Sequence, residues 1–325
     1  MLSGKAQLDA VSPTRATATV IAEDFALDPL QDGWRVFGDT NLFRWNPTNQ
    51  NLEITWDSSQ SNSYFYHPLG TILSREDDFG LAFDLRLNDI GPGPATNKAS
   101  TFPIAIGFLN LDEATQTNFL RGTGNNSPDL AEFAYFWDSG FGATSWPTFV
   151  DTNSTFNYNN ASDYAIFALK PGDTYHVVMN YTASNQTVVA SVTNFEQTVG
   201  VRITQLLNTN FGDFRLGTIS ISSYSDAGQD PQYAGSVLAH GVLDNIVITA
   251  PIPPVQIVIG SLTNGFWQAQ FIGRTNWLYT LERSSDFRSW TEVSPPRLGA
   301  NGSTTLSDTN GAIPNAFYRV RANRP

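Results

Sequence analysis

Residues 172–194 read GDTYHVVMNYTASNQTVVASVTN, and they constrain the fold more than any other stretch. Tyr175, Val177, Met179 and Tyr181 alternate with Thr174, His176, Val178 and Asn180, the period-2 signature of a strand with one buried face. Ala183-Ser184-Asn185-Gln186 supply polar turn residues, and Val188, Ala190 and Val192 alternate on the return. The segment reads as one antiparallel hairpin.

The same pattern recurs along the first 250 residues. In FGLAFDLRLND (79–89), Phe79, Leu81, Phe83, Leu85 and Leu87 face one way, and Gly80, Ala82, Asp84, Arg86 and Asn88 the other. LEITW (52–56), SYFYH (63–67), PIAIGFLNL (103–111), LAEFAYFWD (130–138), GDFRLGTISISSY (212–224) and VLAHGVLDNIVIT (237–249) are further strands. Residues 91–101, 121–129 and 226–236 read as loops from their Gly, Pro and polar content. So do residues 139–163, a second long loop rich in Trp, Phe, Asn and Ser. With 22 Phe, 11 Tyr and 8 Trp against only 3 Lys, and no extended Ala/Leu/Glu/Lys pattern, long helices are not expected. The fold class expected is all-β, with about ten strands in two packed antiparallel sheets, a jelly-roll sandwich.

A chain of 325 residues exceeds the usual reach of one core, and Pro251, Pro253 and Pro254 mark a stiff linker over 251–256. Beyond it, VQIVIGSLTNGFWQAQFI (255–272) is two β runs joined at Asn264-Gly265, the strongest short hairpin signal. Residues 277–293 and 316–322 complete a small β-domain over 257–325. Residues 1–20 are polar and weakly patterned, a leader or a first edge strand.

Charge and composition exclude several functions. The net charge of −12 argues against nucleic acid, whose phosphates need a basic surface. Residues 251–325 hold seven Arg and four acids, net +3, which leaves 11 basic and 26 acidic residues in 1–250, net −15. That acidic surface suits Ca²⁺ or neutral glycans, or serves solubility alone. The absence of Cys removes disulfides, zinc–thiolate sites and thiol catalysis. No apolar run is long enough for a transmembrane segment, and residues 1–20 lack a signal-peptide core.

Two resemblances add to this reading. The Gly, aromatic-His-Val strand, polar turn and return strand of 172–194 resemble the central hairpin of concanavalin A-like and laminin-G-like jelly-roll domains. The opening IAEDFALDPLQDGW (21–34), two acids and Phe followed by Gly-Trp, is similar to the start of bacterial glycan-recognition jelly rolls. Tyr279, Leu281, Ser284, Asp286 and Trp290, with the final Phe-Tyr-Arg-Val-Arg, resemble a fibronectin-III-like module. Such modules close many secreted verrucomicrobial and planctomycete proteins, where they are accessory. The implied setting is a secreted or cell-surface bacterial protein whose signal segment is not part of these 325 residues.

The jelly-roll resemblance implies a structural calcium that ties the opening segment to the last strand. The matching residues are Glu23, Asp24 and Asp244, and the ion needs six to eight oxygen ligands. The plainer reading has Asp244 capping a turn and the other two solvated. For a sugar, Trp146, Phe141, Tyr224 and Tyr233 in the loops supply stacking faces and Asp138 bonds hydroxyls. The plainer reading has aromatics of this kind in the core. Catalysis has weak support. Laminarinase-type jelly rolls carry Glu-x-Asp-x-x-Glu on one strand; here Glu132 and Asp138 lie about 20 Å apart along the strand. Glycosidase carboxylates need about 5–9.5 Å. A pair from two strands, such as Glu132 with Asp84, stays open. His67, His176 and His240 show no metal-ligand spacing, and no Gly-x-Ser-x-Gly elbow is present. No catalytic residue is assigned. The functional expectation is non-catalytic binding of a polysaccharide or other glycan. The alternatives are a structural or adhesive surface protein, self-associating by adding residues 1–20 to a neighbour's sheet edge, and a divergent polysaccharide hydrolase or lyase.

Overall fold

The computed structural model describes residues 18–97, 103–121, 126–138, 142–196, 199–224, 235–300, 302–310 and 315–325. Its strands, in chain order, are β1 (Ala18–Glu23), β2 (Arg35–Phe37), β3 (Phe43–Asn46), β4 (Asn51–Asp57), β5 (Ser63–Leu73), β6 (Phe79–Pro92), β7 (Ile104–Leu109), β8 (Leu130–Phe136), β9 (Thr144–Val150), β10 (Ala165–Ile166), β11 (Thr174–Thr182), β12 (Thr187–Asn194), β13 (Gly200–Leu206), β14 (Leu216–Ser223) and β15 (Val237–Pro251). They form two antiparallel sheets. The first has eight strands in the order β13-β12-β11-β6-β15-β4-β3, with β1 added to β15; the second has seven, β10-β9-β8-β7-β14-β5-β2. This is an all-β jelly-roll sandwich.

Alternation in the sequence decides which side chains enter the core. Phe79, Leu81, Phe83, Leu85 and Leu87 of β6 and Tyr175, Val177, Met179 and Tyr181 of β11 are all buried. They meet the second sheet ring against ring. Phe83 lies 5.9 Å from Phe133, and Phe79 lies 5.3 Å from Phe108. The hairpin β11–β12 pairs Tyr175 with Asn194 through Thr182 with Thr187, turning at residues 183–186 as the sequence requires.

Two expectations need correction. The stretch 139–163 is not one loop, because Thr144–Val150 is a full strand paired with β8. Pro147 hides it from a propensity reading, since proline cannot donate to a ladder; it sits beyond the two residues where β10 pairs, so its strand is an edge there. The second sheet is also buried on both faces over part of its width. The segment Leu111–Phe119 covers its outer side with a second cluster of Tyr64, Ala105, Leu109, Ala114, Phe119, Leu130 and Tyr224.

After β15 only residues 252–254 lie outside strands, so Pro251 and Val255–Gln256 of the expected linker are already sheet. Beyond them are β16 (Val255–Thr263), β17 (Phe266–Gly273), β18 (Leu278–Ser284), β19 (Thr291–Glu292), β20 (Arg297–Leu298), β21 (Ser303–Ser307) and β22 (Phe317–Asn323). They make a three-stranded sheet, β16-β17-β21, and a four-stranded one in which β18 pairs with β19, β20 and β22. Asn264 and Gly265 both have positive φ, 53° and 81°, as a type I′ hairpin turn demands. Ala269, Phe271, Trp277, Tyr279, Leu281, Val293 and Leu306 form the core of this unit, and Ile72 of the sandwich packs against it.

Candidate functional site

The outer face of the second sheet is set by register. Phe133 and Tyr135 of β8 enter the core, so Ala134 faces outward, and Trp146 lies directly opposite it on β9. The chain after β9 then folds back over Trp146. Asp151 organises the return: its Oδ1 accepts from the N–H groups of Asn153 and Thr155, both at 2.8 Å, and its Oδ2 accepts from Gly212 N–H at 2.7 Å. Buried Asn157 donates to the Leu206 carbonyl and accepts from Asn208 N–H. Asn160 caps the short turn Ala161–Asp163 by accepting from Ser162 N–H. These local Asn and Asp bonds are the reason the stretch reads as loop and yet holds one shape.

That scaffold gathers five rings. Trp146 lies 5.1 Å from Tyr164, 5.2 Å from Phe156, 5.6 Å from Tyr158 and 6.4 Å from Phe136. Tyr158 is 47% exposed and Phe156 38%, so the cluster shows aromatic faces to solvent. Side-chain amides of Asn159 and Asn160 belong to the same fold-back. An amphipathic ring beside amides can take the apolar face of a polar ligand and bond its edge.

Of the residues expected to bind ligand, Trp146 is central to this cluster, as a strand residue and not a loop one. Asp138 is exposed at the end of β8. Phe141 and Tyr233 lie outside the described residues. Tyr224 is corrected. It is 3% exposed, buried under Leu111–Phe119, and its hydroxyl donates to Glu132 Oε1 at 2.5 Å. Glu132 also takes Nη2 of Arg121 at 3.1 Å, and that guanidinium lies 5.1 Å from the Tyr224 ring centre. Burial raises the Glu132 carboxyl, and Arg121 and Tyr224 offset part of that shift. This is a closed polar network inside the protein. Phe156, Tyr158 and Tyr164 were missed, although Phe-x-Tyr in an Asn-rich stretch was a usable signal.

The cross-strand acid pair is corrected as well. Glu132 is on the outer side of the second sheet, and Asp84, next to buried Phe83 and Leu85, is on the outer side of the first; the core separates them. Asp84 instead accepts from Asn245 Nδ2 at 2.8 Å and lies 2.7 Å from His176 Nδ1. It sits opposite Asp244 in the ladder, and both line a cavity of about 150 Å³ with Asn51, Arg86, Thr174 and Val242.

Glu23, Asp24 and Asp244 do not converge on one point. The Glu23 carboxylate is buried and accepts from Phe25 N–H at 2.7 Å. Asp24 is exposed and accepts from Ala26 N–H. Burial raises the Asp244 carboxyl, and the charges of Asp84 and Asp24 raise it further. Among the described residues no group of three His, Asp or Glu side chains stands close enough to hold a metal ion.

No family model and no curated protein matches the chain. Similar solved structures include peanut lectin with a nine-residue peptide (14% identity, TM-score 0.46, covering 73% of this chain and 100% of that chain). Another is lectin I from Ulex europaeus with the methyl glycoside of α-L-fucose (13%, 0.44, 73% and 99%). Arcelin-5, a lectin-like defence protein from Phaseolus vulgaris, is a third (13%, 0.41, 73% and 100%).

Proposed function

We propose that this protein binds glycans without cleaving them, as a secreted or cell-surface protein. The observation that carries the reading is the Trp146 cluster: exposed Phe156 and Tyr158 rings, held by a hydrogen-bonded Asn/Asp scaffold on the outer face of a rigid sheet. Sugars stack their flat C–H faces on such rings, and Asn amides bond the hydroxyls. Pre-set geometry lowers the ordering cost of binding. Asp138, Phe141 and Tyr233 belong to the same reading as further ligand contacts.

Calcium is a separate part of the proposal. Glu23, Asp24 and Asp244 are its proposed ligands; the charges of Asp84 and Asp24 add to burial in raising the Asp244 carboxyl, and a bound cation would offset them, with carbonyl oxygens completing its shell. The last 69 residues, 257–325, are proposed as an accessory fibronectin-III-like module of a bacterial secreted protein.

An immobilised glycan panel, probed with and without EDTA, tests the function. Binding to at least one polysaccharide, with no sugar released, supports it; no binding in either condition overturns it. A structural or adhesive role is the second reading, favoured by the exposed apolar side chains Ile257, Val258, Ile259 and Leu262 of β16. Concentration-dependent assembly with no glycan bound would select it.

A further inference from the structure

The outer face of the first sheet carries a polar grid around its cavity of about 150 Å³. Thr174 of β11 stands opposite Arg86 of β6, and Arg86 opposite Val242 of β15. Two residues along, His176 stands opposite Asp84, and Asp84 opposite Asp244. Asp84 is fixed from both sides: His176 Nδ1 lies 2.7 Å from its Oδ1, and Asn245 Nδ2 donates to its Oδ2 at 2.8 Å. β15 shifts register against β6 on either side of Gly241–Asp244, and Asn245 takes a positive φ of 51°. Such irregularities re-aim side chains and are over-represented beside functional sites.

We propose that this cavity takes one neutral pyranose unit of a glycan, as a second site on the sheet opposite the Trp146 cluster. Bonding capacity left over in the fold points there first. The Asn51 Oδ1 atom is buried without a hydrogen-bond donor, and such atoms are rare in folded proteins. Among the described residues, nothing bonds the Arg86 guanidinium or the Thr174 hydroxyl either. All three side chains line the cavity. Together they offer donors and acceptors, the set that a ring of hydroxyls needs.

Size and apolar surface fit as well. A volume of about 150 Å³ holds one six-membered ring. Val242, nearly buried, contributes an apolar wall. Phe195 stands beside the grid: its N–H donates to the Thr174 carbonyl at 3.2 Å, and its ring centre lies 5.7 Å from that of His176. The Phe195 side chain is 56% exposed and offers a stacking face to the C–H side of a sugar.

Charge selects a neutral ligand. An ammonium group seated here would meet the Arg86 guanidinium, and a carboxylate or sulfate would meet Asp84 and Asp244. An uncharged sugar meets neither repulsion. The site stands independently of the Trp146 cluster. Two glycan chains held on opposite faces of one molecule would follow from both sites, and only that consequence rests on the Trp146 proposal.

Saturation-transfer NMR with the methyl glycosides of glucose, galactose, mannose, fucose and N-acetylglucosamine tests the site. The reference protein is the full chain carrying Phe156→Ala/Tyr158→Ala, so that the Trp146 cluster does not contribute. The expected result is transfer from this protein to at least one glycoside. Adding Arg86→Ala or, separately, Phe195→Ala should weaken that binding at least about tenfold, through the loss of a charge-assisted bond or of a stacking face. Both side chains are exposed, so both variants should fold, as their melting temperatures will report. No transfer from the reference protein overturns the proposal; if the wild type alone shows transfer, binding at the Trp146 cluster stands without it. Unchanged affinity in either added variant also overturns it, because the sugar then sits elsewhere.

Discussion

Asp77 and Arg324 close a loop of about three quarters of the chain: Oδ2 of Asp77 accepts from Nη1 of Arg324 across 247 positions. Oδ1 of Asp77 takes Nη2 of Arg274 at 2.6 Å. Both guanidiniums lie within 6 Å of the Trp277 ring, and Arg274 also donates to the Ile252 carbonyl. The carboxylate is buried and belongs to the sandwich, while the arginines belong to the C-terminal sheets.

Asp77→Ala leaves Arg274 without this carboxylate and Arg324 with the exposed Glu76 at 3.5 Å, so a loss of about 3 kcal/mol is expected. Denaturant titration measures it. The C-terminal sheets should also lose their cooperativity with the sandwich, so one unfolding transition becomes two. A loss below about 1 kcal/mol with a single transition would show that the pair does not join the two units.

The Glu132 network sets a pH dependence. Burial raises the folded-state carboxyl above its unfolded value. Its contribution to stability is therefore fully present below the unfolded pKa and is lost as pH rises through the folded one. The stability of the wild type relative to Glu132→Gln should fall between about pH 4 and neutrality. Thermal melts of both proteins across that range check it, and a difference that grows with pH contradicts the assignment.

The calcium proposal names Glu23, Asp24 and Asp244. If the ion binds there, EDTA lowers the melting temperature, and Asp244→Asn removes the sensitivity to EDTA. At a calcium concentration 100 times the dissociation constant the stabilisation is about 2.7 kcal/mol. An unchanged melting temperature in EDTA sinks the calcium claim.

Much of the sandwich was legible because alternation is a direct record of which face is buried. β6, β11 and β12 follow it residue by residue. Tyr224 was misread because it was taken as a loop residue, whereas it follows β14 directly and is buried under Leu111–Phe119. The warning was present: IAIGFL and LAEFAYF carry almost no polar residue, which means burial on both faces, and β7 is buried at every position. β9 was hidden by Pro147. The pairing of Asp77 with Arg324 leaves no local trace, since nothing in either neighbourhood encodes a partner at such separation. The aromatic cluster was half visible. Trp146 stood out as a Trp, but its neighbours Phe156 and Tyr158 sit in an Asn-rich stretch whose shape depends on side-chain-to-backbone bonds.

The central claim is that the rings around Trp146 hold a sugar, and calorimetric titration tests it most directly. The ligand is a glycan that the wild type binds on the panel, and the variant is Phe156→Ala/Tyr158→Ala. Both side chains are partly exposed, so the fold should be retained, as the melting temperature will report. The expected result is a loss of affinity of about tenfold or more, from two lost stacking contacts. An unchanged dissociation constant in a folded variant would contradict the account.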